Sequence, residues 1–185
     1  GITVYHLSKI INLCSKDIQF DLLISLINPI ILPEPVLRIA RLASVNYHNA
    51  LLPQYRGYNA TAWAILRNEK EHGFTWHLMN EEIDRGAILY QEKVRIDSED
   101  TPTSLNIKCF ERATESLPVL VSLLLETAFK NKKREKQKRT KLYTKYDVPA
   151  HHGIVEWNWS AQDIYRCYKG LSFGDYENTM TTPKC

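Results

Sequence analysis

The 185-residue chain has no paired cysteines, no long apolar run and no internal repeat. Its four cysteines, Cys14, Cys109, Cys167 and Cys185, are scattered without a CxxC spacing. That pattern argues against a zinc site and against a disulfide framework, and predicts a reduced, cytoplasmic protein. The most apolar window, Phe20–Leu32, is too short to cross a bilayer and is broken by Pro29. No basic segment followed by an apolar run opens the sequence, so no secretory signal is read. The chain starts at Gly1-Ile2-Thr3-Val4 without Met, as if cut from something longer. His6, His72, His77, His151 and His152 lack ligand-like spacing to acids or cysteines. They read as surface or packing residues, and no metal is predicted.

What is present is a mildly acidic body with a basic strap. Lys130–Lys145 holds nine Lys or Arg and one Glu, so the rest of the chain is net negative although the total is +3. The strap has no aromatic before Tyr143 and reads as a solvated linker; tRNA contact through it is the less favoured reading.

Leu22–Ile27 is a continuous apolar run, as expected of a strand buried on both faces. Val36–Leu42 suggests a short helix, and Ala43–His48 the next strand. Asn59 can cap a helix from about Ala60 to His72, with Gly73 ending it. Phe74–Met79 and Ala87–Ile96 read as strands, the latter toward the sheet edge. Asp100 or Thr101 caps a long helix with Pro102 in its first turn. Pro118 predicts a kink, or a restart capped by Ser116. Gly153–Trp159 alternates like a strand, and Ser160 with Asp163 opens a last helix. This order implies an α/β domain: a Rossmann-like, mostly parallel sheet flanked by helices, then a linker and the start of a small C-terminal domain.

Three polar side chains fall at predicted strand ends. Asn46 and His48 lie two apart on one strand and share a face. Asp84 lies in the turn Glu81–Gly86, where it can project over the same edge, the usual ligand edge of an open α/β sheet. A carboxylate beside an imidazole favours its charged form, and an amide can donate to an oxygen that becomes negative. Together they suit attack by an amine on a carbonyl. The residues alone leave plainer roles open: a structural histidine, a loop-satisfying asparagine and an aspartate used for its turn chemistry.

Asn46-Tyr47-His48, then Leu51-Leu52-Pro53-Gln54-Tyr55-Arg56-Gly57, then Glu81-Glu82-Ile83-Asp84-Arg85-Gly86-Ala87-Ile88-Leu89 resemble the linked motifs of the folate-dependent N-formyltransferases. Phe20–Leu37 resembles that family's strand and Ile-Leu-Pro loop, and Gly153–Lys184 the stretch leading to its smaller C-terminal domain. Asn59–Ala64, His72–His77 and Phe173–Tyr176 look closest to formylation domains of nonribosomal peptide synthetases. In the family a further strand–helix–strand unit comes first; this chain enters the pattern at Gly1.

The resemblance implies 10-formyltetrahydrofolate as donor and a primary amine as acceptor, most simply an aminoacyl group on a peptide synthetase carrier beside an adenylation domain. Asn46 would hold the formyl oxygen, His48 would assist proton transfer and Asp84 would orient or charge His48. The pterin would lie against Ile30, Leu32, Met79 and Glu81. Residues 1–130 would form the catalytic domain, 131–147 the basic linker and 148–185 the start of the C-terminal subdomain. A methionyl-tRNA or sugar-amine transferase, a formyltetrahydrofolate hydrolase and a non-catalytic folate-binding or docking module are the alternatives.

Overall fold

The computed structural model describes residues 19–126, 137–175 and 179–184. A four-stranded sheet is built from β1 (Phe20–Ser25), β2 (Ala40–His48), β4 (Glu71–Leu78) and β5 (Ile88–Arg95), in the order β1-β2-β4-β5. A two-residue strand, β3 (Arg56–Gly57), pairs separately with β6 (Leu142–Tyr143). The helices are α1 (Glu34–Leu37), α2 (Ala60–Leu66), α3 (Pro102–Leu125) and α4 (Ala161–Gly170). None of the described helices is long and apolar enough to cross a membrane.

The chain has the expected α/β layering, with helices flanking the sheet. Parallel pairing joins β1 to β2, whereas β2–β4 and β4–β5 are antiparallel. A short polar turn links β4 to β5, and such a turn can reverse a strand but cannot cross over a sheet. β1 is only half buried instead of covered on both faces, because it is the end strand of the described sheet.

Period-2 alternation sorts the central strands. Val45 and Tyr47 of β2 and Phe74 and Trp76 of β4 face α3, where Leu105, Cys109, Ala113, Leu120 and Leu124 meet them in the main core. Tyr47 packs edge-on to Trp76 and Phe110. The intervening residues Asn46, His48, Thr75 and His77 share the opposite face. A second core joins α2 to α4 and the tail through Trp63, Tyr143, Cys167, Leu171 and Met180.

α3 starts as expected. Thr101 accepts from the Ser104 N–H at 3.2 Å while Ser104 Oγ accepts from the Thr101 N–H at 3.0 Å. The helix runs through Pro118 without a restart. Ser116 is engaged elsewhere, accepting from Trp76 Nε1–H at 2.9 Å.

Several elements differ from the sequence expectation. α1 ends at Leu37, and β2 already begins at Ala40. α2 stops at Leu66, since Asn68 turns left-handed (φ 57°) and Glu71 already pairs with Arg95. Gly73 is therefore a strand residue, and a Cβ there would meet Glu92 O at 2.1 Å. Asn59 holds the N-cap position of α2, as expected, but its side chain makes no capping bond; its amide donates to Thr179 Oγ1 at 2.9 Å. Around Gly153–Trp159 there is a short 3-10 turn and one bridge from Ile154 to Lys184, with no strand. Ser160 does cap α4, accepting from the Asp163 N–H at 3.1 Å.

Of the basic strap, residues 130–136 lie outside the described region. In the part that follows, Lys138, Arg139, Lys141 and Lys145 are exposed, while Gln137 and Tyr143 are buried and anchor it. Gln137 donates to Gly86 O at 2.6 Å, and Leu142–Tyr143 pairs with Arg56–Gly57.

Thr75 ties the loop after β2 to β4. Its hydroxyl donates to Ala50 O at 2.6 Å and accepts from Leu52 N–H at 3.1 Å and Gln91 Nε2 at 2.8 Å. Thr75→Val keeps the shape but leaves the buried Leu52 N–H without an acceptor. Urea unfolding should show a loss of about 2 kcal/mol, read as a lower midpoint at unchanged m.

Candidate active site

The β2–β4 register assembles the site. Asn46 stands opposite His77, and His48 opposite Thr75, so the polar faces of two strands meet across one ladder. His77, read from sequence as packing or surface, is thus a buried neighbour of Asn46. The missed signal is Thr75-Trp76-His77, whose polar members alternate with the core aromatics. Sequence alone did not reveal that β4 would lie antiparallel beside β2.

Asp84 is delivered by the turn between β4 and β5. His48 Nδ1 lies 3.4 Å from its Oδ2, and His77 Nε2 lies 3.5 Å from its Oδ1. The N–H of Gly57 donates to Oδ2 at 2.7 Å. Asp84 has a left-handed backbone (φ 52°), a conformation Asp tolerates better than most residues. Arg56 fastens the preceding residue by donating from Nε to Ile83 O at 3.1 Å.

These contacts give the Leu-Leu-Pro-x-x-Arg-Gly segment a physical purpose. Tyr55 O accepts from His48 Nε2–H at 2.9 Å, Arg56 grips the Asp84 turn and Gly57 donates to the carboxylate. Gly57 has φ 90°, and a Cβ there would meet Tyr143 O at 2.1 Å, so no other residue fits.

Burial pushes the Asp84 carboxyl up, but the neighbouring His48 and His77 and the Gly57 N–H outweigh it and bring it down to about 2. It is ionised at neutral pH. Burial holds His48 below the usual histidine range, against the opposing pull of Asp84. A neutral His48 that donates Nε2–H to Tyr55 O leaves its Nδ1 lone pair facing the carboxylate. A proton has a ready place between them.

The structure places all seven sequence-selected residues around one cleft of about 1200 Å³: Asn46 with the buried His48 and Asp84 at its floor, and Ile30, Leu32, Met79 and Glu81 elsewhere in its lining. The lining also includes Thr103, Asn106 and Phe110 of α3 and, from the tail, Phe173 and Thr179. Ile27, Ile30 and Ile31 are 70%, 51% and 67% exposed, an apolar rim left uncovered. Among the described residues, no group of three or more His, Cys, Asp or Glu is arranged to hold a metal.

The buried histidines make stability acid-sensitive. Burial brings His72 down to about 4, although Nε2–H donates to Asn49 O at 2.6 Å. The unfolded chain therefore takes up this proton first as pH falls below 6.5. The His72 contribution, about 3 kcal/mol, is complete above pH 6.5 and lost by pH 4. Asp84, depressed in the fold, adds about 2 kcal/mol that is lost from about pH 4 to 2. Urea midpoints should fall between pH 7 and 4.5, and His72→Gln should flatten that fall; a midpoint flat across this range in the parent would contradict the assignment.

Comparison with known proteins now bears on the site. The family described as formyl transferase matches residues 14–121. GDP-perosamine N-formyltransferase of Brucella melitensis is 33% identical over 153 residues, covering 83% of this chain and 57% of the relative. Methionyl-tRNA formyltransferase of Halothermothrix orenii is 32% identical over 141 residues, covering 76% of this chain and 44% of the relative. Among solved structures, HypX from Aquifex aeolicus in complex with tetrahydrofolic acid superposes with a TM-score of 0.68 at 20% identity, over 91% of this chain and 28% of that one. The chain thus spans about half the length of these curated relatives. With its motifs gathered around one cleft and more than half its length matched, the chain belongs to the formyl transferase family.

Proposed function

We propose that this chain carries the catalytic part of an enzyme that transfers a formyl group from 10-formyltetrahydrofolate to a primary amine. The observation that carries this reading is the ionised Asp84 held against His48 beside an amide, Asn46, on the floor of the cleft.

The cleft suits the donor. Its apolar rim of Ile27, Ile30 and Ile31 offers a surface for a flat heteroaromatic ring, and Met79 and Glu81 line the same cleft. Asn28 already occupies both backbone groups of Ile30, at 3.0 Å and 2.9 Å. Ile30 would therefore contribute its side chain, and Leu32 and the Met79–Glu81 segment the remaining contacts. The bound donor supplies an activated formyl carbon.

The protein's own groups do the rest. Asn46 donates to the formyl oxygen as it becomes negative. The acceptor nitrogen forms the new C–N bond and gives up a proton into the gap between His48 Nδ1 and Asp84 Oδ2. The same proton is then available to the departing donor nitrogen as the old C–N bond breaks. Glu81, Glu82 and Glu111 also line the cleft and favour the approach of an ammonium, which gives one proton to solvent before the neutral amine attacks.

Two narrower acceptors each have an observation behind them. The segments Asn59–Ala64, His72–His77 and Phe173–Tyr176 resemble peptide synthetase formylation domains, which favours an aminoacyl group on a carrier. The similarity to a GDP-perosamine N-formyltransferase over 83% of this chain favours a sugar-nucleotide amine.

The test is mass spectrometry of a panel of amines (aminoacyl-carrier, amino-sugar nucleotide and methionyl-tRNA) incubated with 10-formyltetrahydrofolate and the protein. One acceptor should gain a formyl group, and His48→Ala and Asp84→Ala should each lower the rate about 100-fold or more. Unchanged rates in both variants would remove these residues from the chemistry. Formate release without a formylated amine would make the protein a hydrolase, and donor binding without turnover a docking module.

A further inference from the structure

His77 is the buried titratable group that the mechanism above leaves unused. Its Nδ1 lies 2.8 Å from Leu78 O. A carbonyl oxygen only accepts, so Nδ1 carries a proton. Its Nε2 lies 3.2 Å from Asn46 Nδ2. An amide nitrogen only donates, so Nε2 is the acceptor there and carries none. The contact to Asp84 Oδ1, at 3.5 Å, is too long to compete as a hydrogen bond. Both neighbours thus select one neutral tautomer.

The consequence falls on Asn46. An asparagine amide has two nearly isosteric orientations, one offering N–H to the cleft and the other offering its carbonyl oxygen. Only the first can stabilise a negative oxygen; the second would repel it. An acceptor fixed beside Nδ2 decides between them, because it binds one N–H and leaves the other for the cleft.

We propose that His77 is a positioning residue: as the Nδ1–H tautomer it accepts one N–H of Asn46 and so turns the second N–H toward the formyl oxygen. This rests on the formyl-transfer reading for its catalytic consequence, but the hydrogen bond itself can be tested without activity.

Long-range proton–nitrogen NMR on protein labelled with nitrogen-15 histidine should show His77 with a pyrrole-type Nδ1 and a pyridine-type Nε2, assigned by its absence from His77→Gln. Asn46→Ala should shift Nε2 and leave Nδ1 in place. A pyrrole-type Nε2 in the parent overturns the proposal, whether or not any amine is formylated.

Kinetics supply the second arm. Gln places an acceptor oxygen near the position of Nε2, whereas Leu offers none. His77→Gln should keep kcat within about threefold of the parent, and His77→Leu should lower it roughly tenfold with little change in the KM for donor. Equal loss in both variants, or a loss confined to KM, also overturns it. A parent that formylates no amine would defeat the functional reading and leave the tautomer to decide this one.

Discussion

The site depends on one buried carboxylate kept ionised. Asp84 has almost no water to stabilise its charge, so the protein must supply partners. The Gly57 N–H of β3 donates to it directly, while His48 of β2 and His77 of β4 stand 3.4 Å and 3.5 Å from its two oxygens, placed to share a proton with it. Each partner comes from a different segment, so the carboxylate also fixes their relative positions. The cost is visible in the backbone. Asp84 is held left-handed, and Gly57 takes a conformation and a contact with Tyr143 O that no side chain permits. Strain of this kind persists where surrounding contacts enforce it, and here Arg56 and Gly57 are those contacts.

Much of this was legible in the residues, for identifiable reasons. Alternation placed Asn46 and His48 on one face, because the period of a strand is two whatever its neighbours do. The capping residues of α3 and α4 were readable because Thr101 and Ser160 act within one turn. What could not be read depended on partners distant in sequence. His77 looked like a packing residue because its importance lies in facing Asn46, thirty-one residues away, across an antiparallel ladder. The early end of α2 has the same origin: local propensity favours helix to His72, but pairing of Glu71 with Arg95 claims those residues for β4. Thr75 shows the effect in reverse. Its polar character in a core strand seems misplaced until the loop it holds is seen.

The electrostatics of the floor divide the work between the two histidines. Both are buried, yet they meet opposite oxygens of Asp84 and differ in which nitrogen is bound to a carbonyl. His48 spends its Nε2 proton on Tyr55 O and faces Asp84 with Nδ1; His77 spends its Nδ1 proton on Leu78 O and faces Asn46 with Nε2. One ring is therefore set to share an arriving proton with the carboxylate. The other is set to accept from an amide. The backbone carbonyls of Tyr55 and Leu78 thus fix which nitrogen of each ring carries its proton.

The tail has a place in the same argument. Thr103 on α3 donates to Phe173 O at 3.0 Å, and Asn59 donates to Thr179 Oγ1 at 2.9 Å. Phe173 and Thr179 line the cleft, as the apolar rim does. Gly170 packs α4 so closely on α2 that an added Cβ would meet Leu66 at 2.8 Å. The segment following α4 is thus anchored at Phe173 and at Thr179, which ties these two residues to α3 and to Asn59 at the start of α2. A wall held this way bounds whatever enters beside Asn46 and His48. Any ligand that enters there meets Phe173 and Thr179, which lie beyond α4, although Asn46, His48 and Asp84 all precede Pro102.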